Sequence, residues 1–379
     1  MTWLLKPLPV TLVTCFQSLL ASSYASKEAE MKILCLLDGV VKPEDRWLWK
    51  YLPANDDEID FLVTSGAADR FQKWGKLFTY YPAFWQLGLR ALRKTQQTPY
   101  DLVVAWEGKN GFPYAVLRRI VGQKSPPLII AAFNIRGVIS HFLSLARFGL
   151  QSVSRVIVFT PIEVEQYQQL LSLAPEAICY CPHGWYDAME WYDPEKVRKS
   201  DALIQAGKFV LASGRSYRDY ATLARAVDGT ETNVRVSGRT FNLAGINFPP
   251  NMQMTGWLAN REFQDYLYES FFYVVPLQPI AHAGGDSSIL QAMSFGKAVV
   301  ATRAPSTETY IQHGVTGLLV EPGDVEAMRQ AILHLWRNPE EVIKMGQAAR
   351  RRFEENHTID KLAQRIYTIV LEVSRAQGG

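Results

Sequence analysis

Residues 281–303, AHAGGDSSILQAMSFGKAVVATR, put a glycine turn, a helix start, a helix stop and a buried strand into one short unit. A chain that passes so quickly from turn to helix to strand is held to an alternating α/β architecture. Gly284 and Gly285 can take backbone angles closed to other residues, and Asp286, Ser287 and Ser288 are all candidates for the N-cap of a helix running through Leu290 and Met293. Gly296 ends that helix, and 298–301 reads as a strand. Unpaired N–H groups in the first turn, together with the helix dipole, make Gly284 to Ser288 a candidate cradle for a pyrophosphate. Ordinary turn chemistry is the competing reading of the same residues.

Upstream, apolar runs alternate with helical patterns, as in parallel α/β sheets. Strands are expected at 33–37, 60–63, 102–106, 128–132, 156–159 and 177–180, and again at 209–212, 234–236, 252–254 and 272–275, with a helix at 261–268. A loop, Pro182-His183-Gly184-Trp185-Tyr186-Asp187, closes the first group, and the polar stretch 193–200 reads as a linker. Asp324 is placed to cap a helix whose Val325, Met328, Ile332 and Leu335 form one apolar stripe, which marks core. The expected division is an extension at 1–30, a domain at 31–190, a linker at 191–200, a second domain at 201–356 and a last segment, 357–379, whose helix crosses back to the first domain.

After the glycine unit come Ala304-Pro305-Ser306-Thr307-Glu308 and the run HGVTGLLVEPGD at 313–324. With these, the chain resembles the C-terminal domain of family-4 retaining glycosyltransferases, closely from 209 to 373 and loosely from 31 to 187. The resemblance implies an α/β fold of the GT-B type, with two Rossmann-like parallel-sheet domains facing a cleft. It also implies transfer of a sugar from a nucleotide-sugar donor with retention of configuration, without a metal and with no cofactor beyond the donor substrate. In that family two glutamates spaced E-x7-E flank the glycine turn, one for the donor sugar and one for the ribose. Here Ala283 and Gln291 stand at those positions. Gln291 keeps polar atoms for a ribose, but Ser288-x-x-Gln291 is also a capping box that needs no ligand. Sugar contacts fall to His282, Asp286 or backbone amides.

The family ends the first strand of its second domain in glycine-arginine, with a lysine soon after, and these cations bind the donor phosphates. Gly214 and Arg215 match, and Arg218 is the nearest substitute for the lysine. Trp257 lies where the nucleotide base is held, and packing between domains is its alternative reading. On the acceptor side the candidates are Gly39, Glu107, Lys109, Asn134, which falls near a family histidine, and His183. Each is also readable as loop chemistry.

The chain's 379 residues suffice for two domains, with 48% hydrophobic residues to fill two cores. A net charge of only +3 gives no cause to expect nucleic-acid binding. Cys15, Cys35, Cys179 and Cys181 have no metal or disulfide spacing, which fits a reducing, cytoplasmic setting where nucleotide sugars are made. Residues 1–30 read as a leader, a surface anchor or an upstream extension from a misassigned start, since Met31 opens a strand of its own. Segments 84–94 and 114–124 mix aromatic, aliphatic and basic residues, a pattern of sheet-covering amphipathic helices that also fits peripheral membrane contact near a lipid-linked or saccharide acceptor. Two rival functions stay open: a non-catalytic GT-B protein that binds sugar nucleotides, and a GT-B epimerase.

Overall fold

The computed structural model describes residues 30–39, 47–53, 56–64, 81–122, 125–134, 143–190, 192, 208–238, 243–258, 260–279 and 284–378. His282, Ala283, Cys15, almost all of the expected linker and nearly all of the N-terminal extension lie outside the described residues.

Runs of Ile, Leu and Val with no polar alternation form the central strands, buried on both faces, while the edge strand Glu58–Thr64 carries Glu58 and Asp60 and is only partly buried. The first six strands are β1 Lys32–Asp38, β2 Glu58–Thr64, β3 Leu102–Trp106, β4 Leu128–Ala131, β5 Arg155–Val158 and β6 Ile178–Tyr180. They form one sheet in the order β2-β1-β3-β4-β5-β6, every pairing parallel. Its crossovers include α1 Tyr81–Gln97, α2 Gly108–Val121, α3 Leu143–Leu150 and α4 Pro161–Leu171. Leu87, Ala91 and Leu92 of α1, with Tyr114, Ala115 and Val116 of α2, are buried in the core on one face. The apolar stripes of 84–94 and 114–122 therefore cover the sheet, while Leu89, Ile120 and Val121 face outward.

The second sheet contains β7 Val210–Ser213, β8 Val234–Ser237, β9 Met252–Met254, β10 Tyr273–Val275, β11 Val299–Thr302 and β12 Gly317–Val320. It too is parallel, in the order β12-β11-β10-β7-β8-β9. Around it lie α5 Tyr220–Val227, α6 Asn260–Glu269, α7 Asp286–Ser294, α8 Pro305–Tyr310, α9 Val325–Arg337 and α10 Pro339–Asn356. Asp324 caps α9, its carboxylate accepting from the Ala327 amide at 2.8 Å. The last helix, α11 Ile359–Gly378, sends Leu362, Ile366, Ile369 and Val373 into the core against Ile33, Val104 and Ile157 of the first sheet. Among the described residues, no helix is long and apolar enough to cross a membrane.

Two chain crossings join the domains side by side. The Trp185 amide donates to the His357 carbonyl at 2.8 Å, and a bridge pairs Trp185 with Thr358. Arg350 of α10 grips Asp187 with two nitrogens at 2.6 and 2.8 Å, and Tyr310 donates its hydroxyl to the Phe159 carbonyl at 3.2 Å.

Helix α7 is seated by close backbone contact with α10. A Cβ on Gly346 would lie 2.1 Å from the Gly296 carbonyl oxygen, which no rotamer can relieve. Gly346→Ala is expected to cost about 1–3 kcal/mol, the range for overpacking, read as a lower melting temperature.

Candidate active site

A cleft of about 760 Å³ opens between the two sheets, lined by residues just beyond the carboxyl ends of their strands. On the second-domain side, β7 runs out into Gly214, whose φ of 118° is open to glycine alone. A side chain there would meet the Arg218 guanidinium at 2.4 to 2.6 Å, so the glycine lets Arg218 fold back over the strand end. Arg218 is 6% exposed, and its Nε and Nη1 donate to the carbonyls of Ser213 at 2.7 Å and Ser216 at 3.0 Å. Its Nη2 donates to Ser288 Oγ at 2.9 Å. Among the described residues these partners are all neutral. The loop is fixed by backbone bonds from Asp219 to Pro276 and from Gln278 to Tyr217. Arg215 stands on the same loop, exposed and facing the cleft.

Across from this loop, α7 begins at a residue different from those proposed as its cap. Gly285 is the N-cap, with φ 87° and ψ −13°, and it offers no side chain to the helix. Asp286, Ser287 and Ser288 thus occupy the first turn instead of capping it. The proposed capping box fails for the same reason, since Ser288 sits at the third helical position with Oγ bonded to Arg218. Ser306 Oγ, fully buried, donates to the Gly284 carbonyl at 2.9 Å and ties the turn to α8. Gly284, Gly285, Asp286, Ser287 and Ser288 all line the cleft. Gln291, three residues beyond Ser288 on α7, does not. Trp257 lies at the cleft with 55% of its surface exposed, which overturns packing between domains as its role.

On the first-domain side, Glu107, Lys109, Asn134 and His183 reach the cleft, and Gly39 does not. Glu107 precedes α2 with φ 67° and ψ 146°, and its carboxylate makes no capping bond. Glu107 caps the helix through its backbone carbonyl, which accepts from the Asn110 amide at 3.1 Å. Lys109 Nζ lies 2.9 Å from Glu107 and 2.7 Å from Asp38. Burial works against the charge on Lys109, but the two carboxylates outweigh it and hold the ammonium above its usual range. Burial likewise disfavours a charged Asp38, yet hydrogen bonds from Lys109 and Thr64 leave its carboxyl below the usual range. Asn134 bonds locally to the Ala132 carbonyl at 3.5 Å.

The cleft also contains residues that sequence reasoning did not select. Trp47, Trp106, Phe159, Trp185 and Tyr186 form much of its aromatic wall, and Glu163 lines it while being only 1% exposed. For Glu163 the available signal was Thr160-x-x-Glu163 after a strand, a capping-box spacing. In the structure Thr160 donates its hydroxyl to Glu163, as does Tyr167 at 3.1 Å. Burial raises the thiol pKa values of Cys35 and Cys179, and pushes Cys181 up to about 12. That removes them as nucleophiles at ordinary pH.

Residues 197–338 match the model of the family described as glycosyl transferases group 1. The chain is 28% identical over 160 residues to the D-rhamnosyltransferase WbpZ of Pseudomonas aeruginosa, covering 40% of this chain and 42% of that protein. It is 29% identical over 237 residues to the O-antigen chain mannosyltransferase C of Escherichia coli, covering 59% and 62%. The matched segments thus span about half the length of these relatives. Among solved structures, Anabaena Alr3699/HepE in complex with UDP and glucose superposes with a TM-score of 0.64 at 15% identity, covering 90% of this chain and 99% of that one. The chain has the GT-B fold.

Two predictions follow from this geometry. A non-glycine residue held at the Glu107 angles carries about 1–3 kcal/mol of backbone strain, whereas glycine carries roughly 0.4–1 kcal/mol of extra chain entropy. Both Glu107→Gly and Glu107→Ala lose the carboxylate, but only glycine relaxes the backbone. Glu107→Gly is expected to melt above Glu107→Ala in calorimetry.

The second concerns the histidines at the domain crossing. Burial pushes His183 down to about 3, with His357 adding to the effect, and burial likewise pushes His357 down to about 4 despite its bond to the His183 carbonyl. Both are neutral when folded and take up protons near pH 6.5 when unfolded, so stability is full above 6.5 and falls as the pH drops towards 4. The melting temperature of the parent should fall more steeply across that window than that of His357→Gln.

Proposed function

We propose that this protein is a retaining, metal-independent glycosyltransferase of family 4 that moves a sugar from a nucleotide sugar to a saccharide, lipid-linked or small-molecule acceptor. The observation that carries this reading is the buried Arg218 guanidinium, whose partners among the described residues are all neutral: the Ser213 and Ser216 carbonyls at the end of β7 and the Ser288 hydroxyl in the first turn of α7. A buried cation without a counter-anion is unfavourable, and a donor diphosphate in the cleft would provide the anion. The first-turn amides of Asp286, Ser287 and Ser288 would complete the cradle, with Arg215 closing it from the exposed side. The names of the relatives favour a rhamnose- or mannose-type sugar and polysaccharide synthesis, and the complex of Alr3699/HepE favours a uridine nucleotide. The setting would be cytoplasmic, where such donors are made.

In this reading Trp257 offers its exposed face to the base, and Asp286 takes the contact with the donor sugar that Ala283 cannot make. The bond between the anomeric carbon and the donor phosphate breaks while the acceptor oxygen attacks from the same face. The acceptor's proton passes to the departing phosphate oxygen. Charge gathers on that phosphate, where Arg215, Arg218 and the α7 dipole are fixed in advance. The rival reading, a non-catalytic sugar-nucleotide binder, draws on Ala283 and Gln291. Release of free sugar from UDP- and GDP-sugars by the purified protein separates the two.

Charge-assisted bonds contribute about 1.5–3 kcal/mol each. Arg215→Ala is expected to lose at least tenfold in affinity for UDP or GDP by isothermal titration while melting like the parent. Arg215→Lys should recover only part of this, because one ammonium cannot replace a two-pronged guanidinium. Unchanged affinity in a well-folded Arg215→Ala would remove the diphosphate from this cleft.

A further inference from the structure

The first-domain side of the cleft combines two surfaces that seldom meet in a site for a purely apolar molecule. One is a continuous aromatic wall. Trp47 packs edge-on against Trp106 at 5.0 Å between ring centroids, Trp106 lies 5.8 Å from Phe159, Phe159 4.2 Å from His183, and His183 6.1 Å from Trp185. The other is the charged pair of Glu107 and Lys109, which begins at the residue directly after Trp106. Within the wall, Nδ1 of His183 is buried and has no hydrogen-bond partner among the described residues. An orphaned polar atom at a ligand-sized cleft calls for a hydrogen-bonding ligand.

A pyranose ring matches both surfaces. Its C–H face is apolar and flat enough to lie on aromatic rings, and its edge carries hydroxyl donors and acceptors. A hydrocarbon acceptor would instead desolvate the Glu107–Lys109 pair and return no hydrogen bond. We propose that this side of the cleft is a pyranoside-binding subsite in which Glu107 accepts hydrogen bonds from acceptor hydroxyls, Lys109 holds that carboxylate in place, and the aromatic wall carries the sugar ring. The reading deepens the glycosyl-transfer reading above and rests on it for the reaction, though not for the binding. It makes the acceptor a saccharide, or the saccharide end of a larger molecule, and it gives Glu107 a reason to be held where glycine would be the easier residue.

The test uses the full-length protein without nucleotide and follows saturation-transfer NMR from the methyl pyranosides of mannose, glucose, galactose and N-acetylglucosamine. At least one is expected to bind the parent protein. Glu107→Gln, which keeps the shape and removes the charge, should bind that sugar at least fivefold more weakly while its affinity for UDP or GDP stays within twofold of the parent's. The subsite is overturned by a parent protein that binds none of the four, or by a Glu107→Gln variant that binds the sugar equally well. Sugar binding without nucleoside-diphosphate binding would support the subsite and remove the donor reading instead.

Discussion

Everything on the second-domain side of the cleft depends on the placement of one guanidinium. Arg218 closes off the end of β7, ties down its loop and reaches across to the first turn of α7, all through neutral partners. Among the described residues no carboxylate bonds that charge, and it fits there because Gly214 leaves space that any side chain would fill. Around that ion lie the hydroxyls of Ser213, Tyr220 and Tyr273. Val274, Val275, Ile289 and Leu290 are fully buried and fix the strand and helix whose ends form the site.

The same economy governs the glycine turn. Gly285 takes the left-handed angles that allow α7 to start, Ser306 holds Gly284 from behind, and contact with α10 sets the helix's other end. Three supports from three separate segments fix the first turn of α7 at the rim of the cleft.

The sheet strands could be read from the sequence because doubly buried parallel strands are short apolar runs, and their limits mostly fell within a residue or two. Strand β2 shows how such a reading shortens: Glu58 and Ile59 belong to it, though the charge at Glu58 hides the start. The start of α7 was misjudged because three good capping residues follow Gly285, and composition alone cannot tell that the glycine has taken their place. Arg215 and Arg218 were picked out through the resemblance to family 4, and the glycine turn through its composition. The aromatic wall was not: Trp47, Trp106, Phe159 and Trp185 are far apart in the chain, follow no period, and meet only because four loops end at one rim.

The paired crossings between the domains have a mechanical meaning. One covalent tether would let the second domain turn about any axis. Here two strands of chain lie beside each other, joined by the Trp185–His357 bond and the Trp185–Thr358 bridge, and flanked by the Asp187–Arg350 clasp. Two tethers fastened together behave as the pin of a door. They hold the two leaves together along one edge, with the aromatic wall on one leaf and the glycine turn of α7 on the other.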